Sequence, residues 1–333
     1  MSISTQRAEE LLAAFSNKRV LVIGDAFVDS YVQGEIERLN PESHHVPLLR
    51  VGYDDDKDPK KYRSGGAGNT ARNLVSLGAQ ACLLSVRGKD KLGTRLVEIA
   101  QREKYKPCFV IDPNRKTIEK RRYITKDGAL FRVDHEPKHI RPMGERVVSQ
   151  LTKQVKVLLV DADAILVSDY AKGLLTEKFC NVLVDFAQSM KVPVLADVKP
   201  AQTGHFVGVA MMAPNLKEAS ESLGVSINTD PLEVAPLLAK RHGTEVFLTA
   251  GSQGICVAGT NKDCFMVEQL HKVKVGDTSG CGDTAAAAIL LAKLCGASSE
   301  EAAELANAAA AVTVTMVGAY APTPVEVLRM LAS

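Results

Sequence analysis

The sequence predicts an α/β fold built on a parallel sheet, and three observations carry that prediction. Arg19-Val20-Leu21-Val22-Ile23-Gly24 is a continuous apolar run without polar alternation, the pattern of a strand buried on both faces. Similar runs recur at 81–86, 164–168, 192–196 and 245–249, and segments with helical character separate them at 67–78, 90–104, 176–190 and 231–242. In such sheets ligands bind beyond the carboxyl ends of the strands, where Asp25, Asp169, Asp197 and Gly251 fall.

Along the chain, a helix is expected before the strand at 19–24, and Asp25 and Asp29 follow that strand. The segments 31–37, 46–53, 117–125 and 129–134 read as short, partly polar strands with no crossover helix after them, which predicts a small accessory sheet. Asp54 to Lys61 is polar and broken by Pro59, so a solvated turn is expected there. Gly66-x-Gly68-x-x-Ala71 matches a dinucleotide-binding fingerprint in letters only. Lys60-Lys61-Tyr62-Arg63-Ser64 stands where a buried strand should precede it, and Val86-Arg87 where an acidic residue should follow. A tight turn into a helix beginning near Ala67 is expected instead. On the strand 117–125, Lys120 and Arg122 share a face, with Arg132 on a plausible partner strand. That cluster suits a phosphate already on the substrate, and a solvated basic strand explains the same residues. His135-Glu136-Pro137-Lys138-His139 spells a zinc-protease pattern, but Pro137 breaks the helix that would align the two histidines.

The decapeptide Val275-Gly276-Asp277-Thr278-Ser279-Gly280-Cys281-Gly282-Asp283-Thr284 joins a glycine-rich turn to a strong helix former, Ala285 to Leu294. Backbone N–H groups at such a helix start are unpaired, and the helix dipole favours an anion, so the turn is a phosphate site. Asp283 would repel a resting phosphate, and taking a proton from an attacking hydroxyl is a reason for its presence. A helix cap with Asp in the first turn is the plainer alternative. No Walker loop occurs, which leaves the Gly280 turn as the best phosphate candidate.

With 333 residues, 46% of them hydrophobic and 24% charged, the chain can bury a large core. Lys plus Arg at 41 against Asp plus Glu at 39 leaves a formal charge of +2, which argues for neither nucleic acid nor a membrane surface as partner. The seven cysteines are scattered without a Cys-x-x-Cys pair, and the N-terminal residues lack the pattern of a signal peptide. A cytoplasmic location is expected.

The decapeptide resembles the ATP-site signature Asp-Thr-x-Gly-Ala-Gly-Asp of the ribokinase-like carbohydrate kinases, the PfkB family, departing from it only at Cys281. The family's other signature is matched far upstream by Gly65-Gly66-Ala67-Gly68-Asn69-Thr70-Ala71-Arg72-Asn73-Leu74. The resemblance implies a ribokinase-like three-layer α/β/α sandwich with a mostly parallel sheet and a small β-sheet lid over the sugar. It implies ATP and Mg²⁺ as cofactors, Asp283 as the base, and the amides of Gly280, Cys281 and Gly282 as stabilisers of the transferring phosphoryl group. Asp25, Asp29, Gly65, Gly66 and Asn69 would meet the sugar hydroxyls, with Asp25 preferred over Asp29. Asn215 and Glu218 match the family's Asn-x-x-Glu segment, which acts on hydrated Mg²⁺ through water. Thr249, Gly251, Gly254, Asp277 and Thr278 would border ATP, and Asn307, read as the start of an alanine-rich helix, would lie on the adenine side. A monovalent cation such as K⁺ beside Asp277 and Ser279 belongs to the same implication.

Leu166-Val167-Ser168-Asp169-Tyr170-Ala171-Lys172-Gly173 is similar to the Ser-Asp-Tyr-x-Lys-Gly segment of D-glycero-β-D-manno-heptose 7-phosphate kinases, and Arg38-Leu39-Asn40-Pro41-Glu42 to their Arg-x-x-Pro-Glu. The likeness runs from about Val20 to Val325, with two departures: Asp197-Val198-Lys199-Pro200 replaces Asp-Pro-Lys-Gly, and 51–64 is longer than expected. It implies transfer to the anomeric hydroxyl of a heptose 7-phosphate, giving the 1,7-bisphosphate. Lys120, Arg122 and Arg132 would then meet the phosphate of the substrate, Asp169 and Lys172 would also bind the substrate, and Lys199, on the ATP side, would with Lys172 neutralise oxygens near the transferred group. Two other readings stay open: a related kinase acting on fructose, a pentose or a nucleoside, and a catalytically silent sugar-binding regulator, against which the intact Asp283 argues. Many such relatives are fused to a nucleotidyltransferase, whose His-x-Gly-His is absent here, so the kinase alone is expected. The expected organisation is one kinase domain over 1–333. Its lid comes from about 31–64 and 115–136, and a homodimer forms through the exposed lid sheet.

Overall fold

The computed structural model describes residues 3–52, 61–126, 128–261, 263–269 and 273–333. In chain order the elements are α1 (Thr5–Ala14), β1 (Arg19–Gly24), β2 (Ala26–Asn40), β3 (Ser43–Val51), β4 (Tyr62–Gly66), α2 (Ala67–Ser76), β5 (Gln80–Gly88), α3 (Lys91–Arg102), β6 (Lys106–Asp112), β7 (Glu119–Thr125) and β8 (Gly128–His135). The second half continues with α4 (Glu145–Leu158), β9 (Ala164–Ser168), α5 (Glu177–Ser189), β10 (Val194–Asp197), β11 (Met211–Met212), α6 (Leu216–Leu223), α7 (Pro231–His242), β12 (Glu245–Thr249), β13 (Ile255–Ala258), β14 (Cys264–Val267), α8 (Cys281–Leu294), α9 (Ser299–Val314) and α10 (Pro324–Ala332).

The larger sheet has the order β14-β13-β12-β11-β10-β9-β1-β5-β6. It is parallel from β6 through β12, and β13 and β14 turn back antiparallel. Its central strand explains the layers. Val20 and Val22 of β1 join one core with α1, α2, α8 and α9, while Leu21 and Ile23 join the other with α4, α5 and α7. A strand with both faces covered has no face left for polar residues, which is why the apolar runs predicted these strands.

The smaller sheet has the order β3-β2-β7-β8, with β4 also on β2. Strand β2 links the two sheets over 15 residues: Ala26 to Ser30 are buried, and most positions from Gln33 onward are exposed. The strand expected at 31–37 therefore starts earlier, because its first residues pair with β4 and β7 inside the molecule. Strand β4 was not anticipated, since its glycines read as a turn. The expected turn from Asp54 lies outside the described residues up to position 60. Among the described residues no helix is long and apolar enough to cross a membrane, and all seven cysteines are unbridged.

Candidate active site

The carboxyl ends of β1, β9 and β10 meet the N-termini of α2 and α8. Gly280 caps α8 with φ +84°, and a β-carbon there would lie 2.8 Å from Asn69 Nδ2 and 3.1 Å from Ala319 Cβ. Only glycine takes this left-handed turn without strain. The amide of Cys281 donates to the Thr278 carbonyl at 3.3 Å, while the amides of Gly280, Gly282 and Asp283 have no partner among the described residues. A β-carbon on Gly282 would meet nothing within 4 Å, so the turn is open on that side. The structure thus changes the expected donor set: the Cys281 amide is occupied, and that of Asp283 takes its place. The Cys281 thiol contacts the Ala310 carbonyl, and burial pushes it up to about 11.

The Asp283 carboxylate is 4% exposed and accepts from three side chains. Asn69 Nδ2 donates to Oδ2 at 2.7 Å and Thr70 Oγ1 to Oδ1 at 2.8 Å, both from the first turn of α2. The Tyr170 hydroxyl donates to both oxygens, at 2.8 and 3.0 Å. Burial raises the Asp283 pKa above the ordinary carboxylate value, the three donors oppose that, and the charge on Asp29 adds to it. Thr284 Oγ1 donates to Asn73 Oδ1 at 2.8 Å, which ties α8 to α2 in this register. Thr70 and Tyr170 are the members of this constellation that sequence reasoning did not single out. The available signals were adjacency to Asn69 and membership of the Ser-Asp-Tyr segment.

Beside Asp283 lies a cationic face. Asp29 Oδ1 pairs with Arg122, and a β-carbon on Gly65 would lie 2.8 Å from Asp29 Oδ2. Lys120 Nζ stands 4.4 Å from the Phe27 ring centroid and 5.8 Å from that of Tyr170, and burial together with Arg132 and Lys172 lowers its pKa. Across β7 and β8, Arg122 is in register with Arg132 and Lys120 with Asp134. Arg132 is itself bonded to Asp134 at 2.6 Å, and Lys172 to Glu136 at 2.6 Å. Lys199 pairs with Glu218 and sits 5.6 Å from the Tyr170 ring.

Several expected ligands are occupied by the protein itself. Asp25 Oδ2 accepts from the amides of Tyr170 (3.1 Å) and Lys172 (2.9 Å), and burial raises its pKa to about 6. Asp169 accepts from the amides of Ala171 and Lys199, at 2.8 and 3.1 Å. Both carboxylates organise the turn that carries Tyr170, while Asp29 is held by Arg122. Gly65 and Gly66 are needed for packing: β-carbons there would lie 2.4 and 2.6 Å from the Phe27 ring. Asn215 and Glu218 form a capping box on α6, with Asn215 Oδ1 accepting from the Glu218 amide and Glu218 Oε2 from the Asn215 amide. Asp277 accepts from the amides of Ser279 (2.8 Å) and Gly318 (3.0 Å) and latches the loop that carries Thr278. Asn307 lies inside α9, not at its start, and its amide donates to the carbonyls of Val267 and Glu268 at 2.9 and 3.3 Å. Thr249 bridges to Asn215 at the end of β12, and Gly251 and Gly254 bound the following turn. A cavity of about 1320 Å³ lies elsewhere: it is lined by Arg115, Glu119, Arg121 and His135 among others and includes none of the residues around Asp283. The chemistry follows the convergent donors and not that void.

A family model described as pfkB family carbohydrate kinase matches residues 51–326. The bifunctional protein HldE of Caulobacter vibrioides is 34% identical over 325 residues, covering 96% of this chain and 65% of that protein. HldE of Helicobacter hepaticus is 32% identical over 322 residues, covering 94% and 64%. The chain thus spans just under two thirds of the length of these relatives. Among solved structures, phosphofructokinase-2 from Escherichia coli in complex with fructose-6-phosphate superposes with a TM-score of 0.73 at 18% identity, over 95% of this chain and 98% of that one. Arabidopsis thaliana ribokinase complexed with ribose and ATP gives 0.68 at 22% identity, over 95% and 99%. These likenesses show a ribokinase-like fold.

Proposed function

The chain belongs to the pfkB family of carbohydrate kinases, an ATP-dependent class, and from that premise we propose that it phosphorylates the anomeric hydroxyl of D-glycero-D-manno-heptose 7-phosphate to the 1,7-bisphosphate. The observation that carries the phosphoryl-transfer chemistry is the pairing of Asp283, held by three donors, with the amides of Gly280, Gly282 and Asp283 at the α8 N-terminus, which have no partner among the described residues. Asp283 takes the proton of the attacking hydroxyl, and the amides face the charge that develops on the transferred group. Lys199, held by Glu218 close to the Tyr170 ring, supplies a further positive charge.

Mg²⁺ enters with ATP. Asn215 and Glu218 each spend oxygen atoms on the capping box and on Lys199, and among the described residues no group of three or more His, Cys, Asp or Glu side chains is arranged to hold a metal ion. This donor set fits an ion that keeps its waters, contacted through them, and does not fit direct coordination. Bound there, the ion would screen the phosphate charges. A monovalent cation beside Asp277 and Ser279 is a further part of the reading, since the E. coli phosphofructokinase-2 relative is described in complex with potassium.

Lys120 supports the phosphorylated substrate. It is a partly buried ammonium lying on two aromatic rings and, among the described residues, bonded to no carboxylate, whereas Arg122 and Arg132 already have partners. The resemblance of Ser168-Asp169-Tyr170-Ala171-Lys172-Gly173 to the heptose 7-phosphate kinase segment supports a heptose in particular. An ADP-release assay over paired free and phosphorylated sugars tests the reading. With Lys120→Met, kcat/KM for the heptose 7-phosphate should fall roughly ten- to a hundredfold, the worth of one charge-assisted contact, with KM for ATP little changed. A wild-type enzyme that prefers free sugars would refute the substrate and leave the kinase assignment standing.

A further inference from the structure

Tyr170 is the residue of the site whose position has no role in the chemistry derived so far. Its hydroxyl bonds both oxygens of Asp283, and Asn69 and Thr70 bond one oxygen each. The phenol shares its one proton between both oxygens, so three donors bring three protons to a carboxylate that offers about four lone-pair sites. An attacking hydroxyl must give its proton to one of those oxygens, and the phenol lies across both. Asn69 and Thr70 are fixed on the first turn of α2, with Asn69 further held by Arg72 at 2.8 Å. Tyr170 is on the turn after β9, where the backbone torsion of the next residue, Ala171, is φ +55°. Its ring meets Phe27 edge-on at 5.3 Å and has Lys120 and Lys199 within 6 Å of its centroid.

We propose that Tyr170 is a guard on the base: in the sugar-free enzyme its phenol occupies the place of the acceptor hydroxyl on Asp283, so that water is not activated against ATP. The inference rests on the kinase reading above. In productive transfer the sugar oxygen bonds the γ-phosphorus as the bond from phosphorus to the ADP oxygen breaks, and the sugar proton passes to the Asp283 oxygen that Tyr170 has released. Without the guard, water follows the same course: its oxygen bonds phosphorus, ADP leaves, and its proton goes to Asp283. Tyr170 acts through Asp283 and is therefore a positioning residue. The charged groups facing the pair are Asp29, Asp197, Lys120 and Lys199.

The test is Tyr170→Phe, which keeps the ring and removes the donor. The ratio of ADP released without sugar to sugar-dependent turnover should rise about tenfold, the factor carried by one net hydrogen bond. The acidic limb of kcat/KM against pH should move upward, because Asp283 loses a donor that favours its ionised form. Phe27→Leu, which loosens the edge-on contact, should raise the same ratio two- to threefold and guards against a Tyr170 variant that does not fold. Adding Asp283→Asn to either variant should abolish the rise. An unchanged ratio in both variants, an unmoved acidic limb, or a rise that survives Asp283→Asn would overturn the proposal. A wild-type protein that phosphorylates no sugar in the panel would refute the kinase reading instead, and ADP release with ATP alone separates the two.

Discussion

Gly280 and Asn69 are matched across the helix interface: a β-carbon on Gly280 would sit 2.8 Å from the Asn69 Nδ2 atom that donates 2.7 Å to Asp283. The phosphate turn and the support of the base are therefore one packing arrangement. Gly280→Ala should destabilise the fold by roughly 1–3 kcal/mol from the left-handed backbone and the clash, and should lower kcat by displacing Asn69. Gly282→Ala is the control. Its β-carbon meets nothing and its place is in the first turn of α8, so stability should hold or rise by up to about 1 kcal/mol while activity falls. Thermal unfolding and turnover of the two variants, side by side, check the pair. Equal stability losses would refute it.

Asp283→Asn should lower kcat by roughly 10² to 10⁴, the usual range for removal of a general base, while ATP binding persists. Calorimetric titration of nucleotide alongside steady-state turnover measures both quantities. Near-normal turnover would remove Asp283 from the role of base.

The pH dependence of stability follows from Asp25. Burial holds its folded pKa at about 6, above the ordinary 3.8 of an exposed Asp. The neutral carboxyl is thus favoured in the folded state, and the stability it contributes is fully present below about pH 4 and is lost as pH rises through about 6. Asp25→Asn keeps an oxygen for the amides of Tyr170 and Lys172 but never ionises. The variant should match wild type near pH 4 and exceed it by about 3 kcal/mol at pH 7 to 8. Urea unfolding at the two pH values decides this, and a variant less stable at the higher pH would contradict it.

Arg122 and Asp29 form an ion pair whose side chains are 12% and 5% exposed. Arg122→Ala leaves the Asp29 carboxylate buried without its partner and should cost about 3–5 kcal/mol. Arg122→Ala combined with Asp29→Asn should recover most of that loss. Recovery in urea unfolding would separate a structural ion pair from direct phosphate binding by Arg122.

The smaller sheet exposes Ile36 (43%), Leu39 (56%), Val46 (50%) and Phe131 (52%), with Phe131 stacked on Tyr123 at 4.7 Å between centroids. Apolar residues on an accessory sheet whose edges, among the described residues, are β3 and β8 support pairing with a second copy. Sedimentation at micromolar concentration should give a homodimer, and Leu39→Glu with Phe131→Glu should shift it to monomer. A monomeric wild type would refute the pairing.

Five strands of the larger sheet, β1, β5, β9, β10 and β12, were legible because burial on both faces removes polar residues from them: Ala164–Ser168 and Glu245–Thr249 have the bounds their apolar runs predicted, whereas β6, β11, β13 and β14 were not anticipated. The start of α8 was legible for a related reason, since Gly280 precedes an alanine-rich segment that can only be helix. Strand β4 was not, because Tyr62–Gly66 owes its conformation to pairing with β2 and to the Phe27 ring packed over its glycines. Of those five residues only Tyr62 is of a type enriched in strands, and the two glycines weigh against one.

The sequence by itself determined which chemistry the chain carries: a glycine turn, a helix start and Asp283 are adjacent in the chain, so local propensity and backbone polarity suffice to place them together. Which carboxylates are free to act was decided only by the tertiary structure. Asp25, Asp29, Asp169 and Asp283 are indistinguishable as residue types at strand or helix ends, yet Asp25 and Asp169 are held by the backbone amides of one turn, Asp29 by Arg122, and Asp283 by Asn69, Thr70 and Tyr170. Those donors come from segments far apart in the chain. A buried carboxylate must find hydrogen-bond partners wherever the packing brings them, and no local pattern records which it will find.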